Sequence, residues 1–220
     1  MTSSESTRVK VKCNCNYNVS IRVNFLTMNS SKQIFEYFPG IWRLTRITTS
    51  KVKEFTANIT GGECINANGY AAFIKTKSDP NVIVYSEKVT VFNLGAGAQG
   101  GIEAKQKYKY KYDPMTATVT KYFSDDRLFY QLNVNDSEEQ STTAISDLSC
   151  FRATGDHLCI QDNYAANYSF SQNSNGIPLI TLTYSVNGPK KCYDIITEYE
   201  RIQCDNLDEF GIVIENEEIV

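Results

Sequence analysis

Long apolar runs, helical periodicity and an excess of positive charge are all missing from this chain of 220 residues, and each absence removes a class of function. No stretch approaches the roughly 20 apolar residues that a membrane-crossing helix needs. The first 30 residues also lack the apolar segment of a secretory leader. Lysine and arginine together number 22 against 25 acidic residues, a net charge of −3, so no global attraction draws nucleic acid, and none is expected as a partner. The seven cysteines, at 13, 15, 64, 150, 159, 192 and 204, form an odd and irregular set. Such a set fits free thiols in a reducing compartment, and a cytoplasmic protein is expected. Cys13 and Cys15 have no second pair to complete a zinc site, so no metal and no cofactor is expected. The glycine-rich stretch "LGAGAQGG" at 94 to 101 lacks both the P-loop lysine and the G-x-G-x-x-G spacing, which argues against a phosphate cradle.

What is present is aromatic and alternating. Fourteen tyrosines and eleven phenylalanines stand beside one tryptophan and one histidine, a composition that favours strands. Period-2 alternation recurs from residue 40 to 203. "KQKYKYKYD" puts Lys107, Lys109 and Lys111 on one face and Tyr108, Tyr110 and Tyr112 on the other. Taking turn residues as breaks predicts about ten strands: 41 to 47, 69 to 77, 81 to 92, 105 to 113, 117 to 124, 127 to 134, 156 to 161, 164 to 171, 178 to 187 and 191 to 203. Short turns joining consecutive strands make a meander, and closing it removes its exposed edges. The expected fold is therefore all-β, a closed up-and-down antiparallel barrel.

Three segments stand apart. Residues 1 to 28 form an N-terminal extension, either an accessory hairpin or sequence preceding a start at Met28. "NSSKQIFEYF" reads as a short capped helix plugging the barrel, so the barrel domain spans 29 to 203 with a polar loop at 135 to 155. Residues 204 to 220 form an acidic tail.

Several motifs occur in order: F-x-G-x-W at 38 to 42, "YSE" at 85 to 87, "FSDDRLFYQL", "HLCIQDNY" followed by Tyr168 and Phe170, and "VNGPKKCYDIITEYER". Together they resemble, over about residues 38 to 203, an uncharacterised lipocalin-like (calycin-type) family, domain of unknown function six-three-one-four. The resemblance implies a lipocalin-like or fatty-acid-binding-protein-like barrel and no established activity. It also implies that Gly40 and Trp42 seal one barrel end, with a late-strand arginine, Arg201, across the indole; Arg46 is the competing candidate.

The only histidine lies in "GDHLCIQDNY". On a strand, His157 and Cys159 share one wall, with Asp162 and Asn163 expected as the turn that follows. If that wall is the lumen, His157, Cys159 and the row Tyr108, Tyr110 and Tyr112 can contact a ligand. Otherwise His157 bonds a backbone carbonyl, Asp156 or Asp162 and fixes a bend. Glu87 and Arg127 are further candidate ligand contacts, since charges in strands are paired, ligand-bound or exposed. Gly188 and Pro189 form the turn before the last strand. No residue qualifies as catalytic on the sequence, because neither His157 nor Cys159 has a visible positioning group.

Three functions fit. The leading one is a non-enzymatic protein binding a small apolar or aromatic ligand in the lumen. The second is a lyase, isomerase or hydrolase using His157 as acid or base. The third is a protein-interaction module whose barrel is filled by side chains. A cavity above roughly 300 Å³ lined by His157 separates the first two from the third.

Overall fold

The computed structural model describes residues 30–51, 64–93, 101–134, 151–189, 191–204 and 207–212. One helix, α1 (Ser30–Tyr37), precedes ten strands. They are β1 (Gly40–Ser50), β2 (Cys64–Lys75), β3 (Val82–Asn93), β4 (Ile102–Asp113), β5 (Thr118–Phe123), β6 (Leu128–Val134), β7 (Phe151–Cys159), β8 (Asp162–Gln172), β9 (Pro178–Asn187) and β10 (Cys192–Ile202). Each strand pairs antiparallel with its sequence neighbours, and β1 also pairs with β10, which closes the barrel. The expectations for residues 1 to 28 and for 94 to 100 lie outside the described residues.

The alternation decides what enters the lumen. On β4, Tyr110 and Tyr112 are buried and Tyr108 is half-buried, while Lys109 and Lys111 reach the exposed carboxylate of Asp126. β7 begins at Phe151, inside the stretch expected as a loop, because Ala153 joins the buried core and Phe151 pairs with Phe170. Its turn also falls earlier than expected. Cys159 pairs directly with Asp162, leaving only Ile160 and Gln161 to turn the chain, and Asp162 and Asn163 already belong to β8. A two-residue hairpin loop demands positive φ. Ile160 supplies it at 60°, an unusual conformation for a β-branched residue.

Helix α1 closes one end. Ile34 and Phe35 on α1, and Phe38 just after it, are buried, and Phe35 meets Tyr112 at 5.7 Å between ring centroids. Pro39 disfavours helical geometry in the residue before it, so the chain leaves the helix there. Gly40 then takes φ 142°, a conformation open essentially to glycine, and a Cβ on it would lie 3.2 Å from Arg201 Nε. Trp42 is fully buried directly opposite Arg201, whose guanidinium lies 4.6 Å from the indole centroid. The Trp42 Nε1 proton goes to the Phe38 carbonyl at 3.0 Å, and Arg201 donates to the carbonyl of Tyr37. The helix, the first strand and the last strand are thus tied at one point. Beyond β10, a short 3-10 helix (Leu207–Phe210) packs Phe210 against Tyr70 on the outer wall, with ring centroids 4.3 Å apart.

Truncating so large a buried side chain leaves a cavity as well as losing transfer free energy. Trp42→Ala is expected to lower stability by about 3 to 5 kcal/mol in chemical denaturation, and an unchanged midpoint would show that Trp42 does not seal the barrel end.

Candidate functional site

The interior divides into two zones. Towards α1 it is filled by rings: Trp42, Phe73, Tyr110, Tyr168 and Phe170 all belong to one buried cluster with Phe35 and Phe38. Towards the opposite end it opens into a cavity of about 190 Å³, whose lining includes Arg46, Glu87, Tyr108, Lys121, Tyr184 and Thr197.

Three of these side chains are charged, and two satisfy each other. Arg46 of β1 meets Glu87 of β3 across β2, where the register places Ala67 beside Arg46, Ala71 beside Glu87 and Gly69 midway. The pair is bidentate, Nη1 to Oε1 at 2.8 Å and Nη2 to Oε2 at 2.7 Å. Arg46 Nε donates to Thr197 Oγ1 at 2.9 Å, and the Tyr85 hydroxyl donates to Glu87. Burial works against the Arg46 charge, yet the hydrogen bonds and charge of Glu87 prevail and hold its pKa above the ordinary value.

Lys121 is different. It is 3% exposed, and among the described residues it forms no ion pair. Its Nζ donates to the Tyr184 hydroxyl at 3.1 Å and stands 3.9 Å from the centre of the Tyr108 ring. Loss of water pulls its pKa from 10.5 down to about 7; the charge of Glu87 opposes that shift and the charge of Arg46 adds to it. From Tyr184 a chain of hydroxyls runs inward: Tyr184 to Tyr130 at 2.6 Å, Tyr130 to Tyr168 at 2.6 Å, and Tyr168 to Tyr110 at 3.2 Å. Burial raises the pKa of all four phenols, so they stay protonated at neutral pH and act as dipoles. If the ammonium donates to Tyr184, each hydroxyl can in turn accept from the one before and donate to the next, which aligns the O–H dipoles away from the charge.

The residues singled out in the sequence scatter around this cavity. Tyr108 and Glu87 line it, whereas Tyr110 lies deeper in the hydroxyl chain and Tyr112 packs on α1. His157 donates its Nδ1 proton to the Phe129 carbonyl at 2.8 Å and stands edge-on to the Phe129 ring at 4.6 Å, so its partner is a backbone carbonyl on β6, neither Asp156 nor Asp162, and the bond joins two strands instead of fixing a bend. Neither His157 nor Cys159 is among the lining residues. Arg127 is exposed on the turn before β6 and pairs with Asp125 at 2.7 Å. Asp162, Gly188 and Lys191 form a clasp at the rim: Lys191 Nζ lies 3.1 Å from Asp162 and 3.0 Å from the Tyr164 hydroxyl. A Cβ at Gly188 would fall 1.9 Å from Asp162 Oδ1, which is why glycine stands there, while Pro189 sits exposed in the adjoining bend.

Lys121 and Arg46 were not identified as site residues from the sequence. A signal exists for Lys121, because "TVTKYF" places it in phase with Val119 and Phe123, the inward positions of β5. A larger groove of about 970 Å³ runs along the outer wall past Arg43, Lys88 and Phe210. Its cations are already matched, Arg43 by Glu200 and Lys88 by Glu103, so the lumen carries the more demanding chemistry.

Residues 38–201 match the model of a family described as "Family of unknown function (DUF6314)". No curated protein matches the chain. Among solved structures, the S-type phycobiliprotein lyase CPES from Guillardia theta is similar over 80% of this chain and 95% of its own, with 8% sequence identity and a TM-score of 0.49. No helix among the described residues is long and apolar enough to cross a membrane.

The buried amine has a measurable consequence. Between pH 7 and 10.5 the folded protein holds fewer protons on Lys121 than the unfolded chain, so stability rises with pH across that window. The gain is about 1 kcal/mol per pH unit. Above pH 10 the raised phenols reverse the trend, because the unfolded tyrosines ionise first. Urea unfolding between pH 7 and 9.5 should show this rise and Lys121→Met should flatten it; a variant that kept the full slope would assign the effect to other groups.

Proposed function

The chain belongs to this family of unknown function, and we propose that its barrel is a binding protein for a small aromatic or apolar ligand held in the upper lumen. One observation carries the reading: a cavity of about 190 Å³ lined in large part by aromatic rings contains a buried amine with no carboxylate partner among the described residues. Cavities near 150 Å³ lined by apolar side chains take up benzene, so this volume fits one ring with a small substituent. It lies below the roughly 300 Å³ expected from the sequence and lacks His157 in its lining, so by size alone the filled barrel of an interaction module is favoured; the binding reading rests on the buried amine and the ring-lined walls instead. A ligand of several rings does not fit the cavity.

Rings on the lining supply dispersion and quadrupole contacts, and Lys121 and Thr197 supply a few oriented polar groups; that combination is usual for small-molecule sites. His157 has its Nδ1 tied to a backbone carbonyl and stands outside the lining, which weighs against the enzyme reading that gave it the acid or base role. The irregular cysteine set favours a reducing, cytoplasmic compartment.

Two variants test the proposal with phenol and toluene as probes, by calorimetric titration. Leu182 lines the cavity, so Leu182→Trp should fill it and abolish binding of both probes in a protein that still melts cooperatively. Retained binding in that variant would move the site elsewhere. His157→Ala should lower stability by about 1 kcal/mol through the lost carbonyl bond and leave probe affinity unchanged. A large loss of affinity with unchanged stability would return His157 to the site.

A further inference from the structure

Charge balance in the lumen narrows the ligand class. Arg46 and Glu87 cancel, and their polar atoms are committed: all three guanidinium nitrogens donate, to Glu87 and Thr197, and both carboxylate oxygens accept. Lys121 is left as the one lining cation without a carboxylate among the described residues. An ammonium has three N–H donors, and among the described residues only the Tyr184 hydroxyl takes one. The rings of Tyr108, Phe129 and Tyr130 lie 3.9, 5.1 and 5.6 Å from Nζ and meet the charge with their faces, which offsets only part of the lost hydration. The hydroxyl chain behind Tyr184 adds dipoles but no counter-charge. A buried charge of this kind requires either neutralisation of the group or a partner of opposite sign.

Resting on the binding-protein reading, we propose that the ligand is a single-ring aromatic acid carrying one negative charge, with its carboxylate paired to Lys121 and its ring lodged against Tyr108 and Phe129. The volume admits one ring, and a single charge brings the lining to neutrality. A dianion would leave one charge uncompensated in a water-poor site. A neutral amide has the same shape but gives Lys121 no counter-charge.

Binding is then linked to protonation. Free Lys121 is half-charged near pH 7, whereas the bound carboxylate needs it charged. Above pH 7 each ligand therefore takes up about one proton, and affinity falls up to tenfold per pH unit; below pH 6 affinity levels off. The groups facing Lys121 are Tyr108 and Tyr110 from β4, Tyr130 from β6, Tyr184 from β9, and, at longer range, Arg46 from β1 and Glu87 from β3. The phenols are pushed above their usual range and Arg46 stays charged, so the expected pH dependence belongs to Lys121.

The experiment titrates the full chain with benzoate, benzamide and phenol by calorimetry from pH 6 to 9, in two buffers of different ionisation enthalpy. Benzoate is expected to bind at least about tenfold tighter than benzamide at pH 6.5, with proton uptake above pH 7 and a falling affinity that benzamide does not share. Lys121→Met should lose the benzoate preference in a protein that still melts cooperatively. Equal affinity for benzoate and benzamide, or a preference that survives in Lys121→Met, overturns the acid inference while leaving the binding reading in place. Failure of all three compounds to bind overturns the binding reading as well. If Lys121→Met does not fold, the wild-type pH profile and proton count decide alone: absence of uptake rejects the proposal.

Discussion

The seam between β1 and β10 is the constraint on which the rest depends. Its register sets Trp42 opposite Arg201 at the helix end and Arg46 opposite Thr197 further along. The first contact closes the barrel floor, and the second orients the only described arginine in the cavity lining. A two-residue slip along the seam would keep every side chain on its own face and still lose both contacts, so closure and site are specified together.

Closing the sheet also removes water from the lumen, and every unusual property of the interior follows from that. Phenols remain protonated, the arginine and glutamate must meet in bidentate geometry, and the lysine loses much of its preference for the charged form. A buried ion pair of this kind contributes little net stability, because the lost hydration of both ions nearly offsets their attraction. Breaking it is another matter, since the survivor would be stranded in a dry site at a cost of about 3 to 5 kcal/mol. The interior is thus stabilised by its rings and organised by its charges.

The two zones of the lumen divide the work of stability and recognition. Near α1 the rings leave no space: Phe38 stacks on Phe73 at 5.1 Å and meets Phe170 edge-on at 5.4 Å. The hydroxyl chain links this filled floor to the cavity, because Tyr110 and Tyr168 belong to the packed cluster while Tyr184 stands in the lining. The clasp of Lys191, Asp162 and Tyr164 ties β8 to the start of β10 at the rim.

By itself the sequence determined the wall. Period-2 alternation, short turns and tyrosines such as Tyr108, Tyr110 and Tyr112 opposite lysines are local properties, and local properties suffice to place ten strands, one capping helix and the meander order. The G-x-W motif and the arginine of the last strand were legible for the same reason, since each lies in a recognisable stretch. Which side chains meet across the lumen depended on register summed around a closed sheet, and no single stretch carries that sum. Lys121 stood in phase with Val119 and Phe123, but a lysine is ordinarily a surface residue, and only closure turned its position into burial. His157 drew attention by being unique, yet β6 supplies the Phe129 carbonyl that holds it aside from the cavity. The pairing of Arg46 with Glu87, 41 positions apart in sequence, spans β2 where Ala67, Gly69 and Ala71 stand between the two strands, a juxtaposition that only the closed register creates.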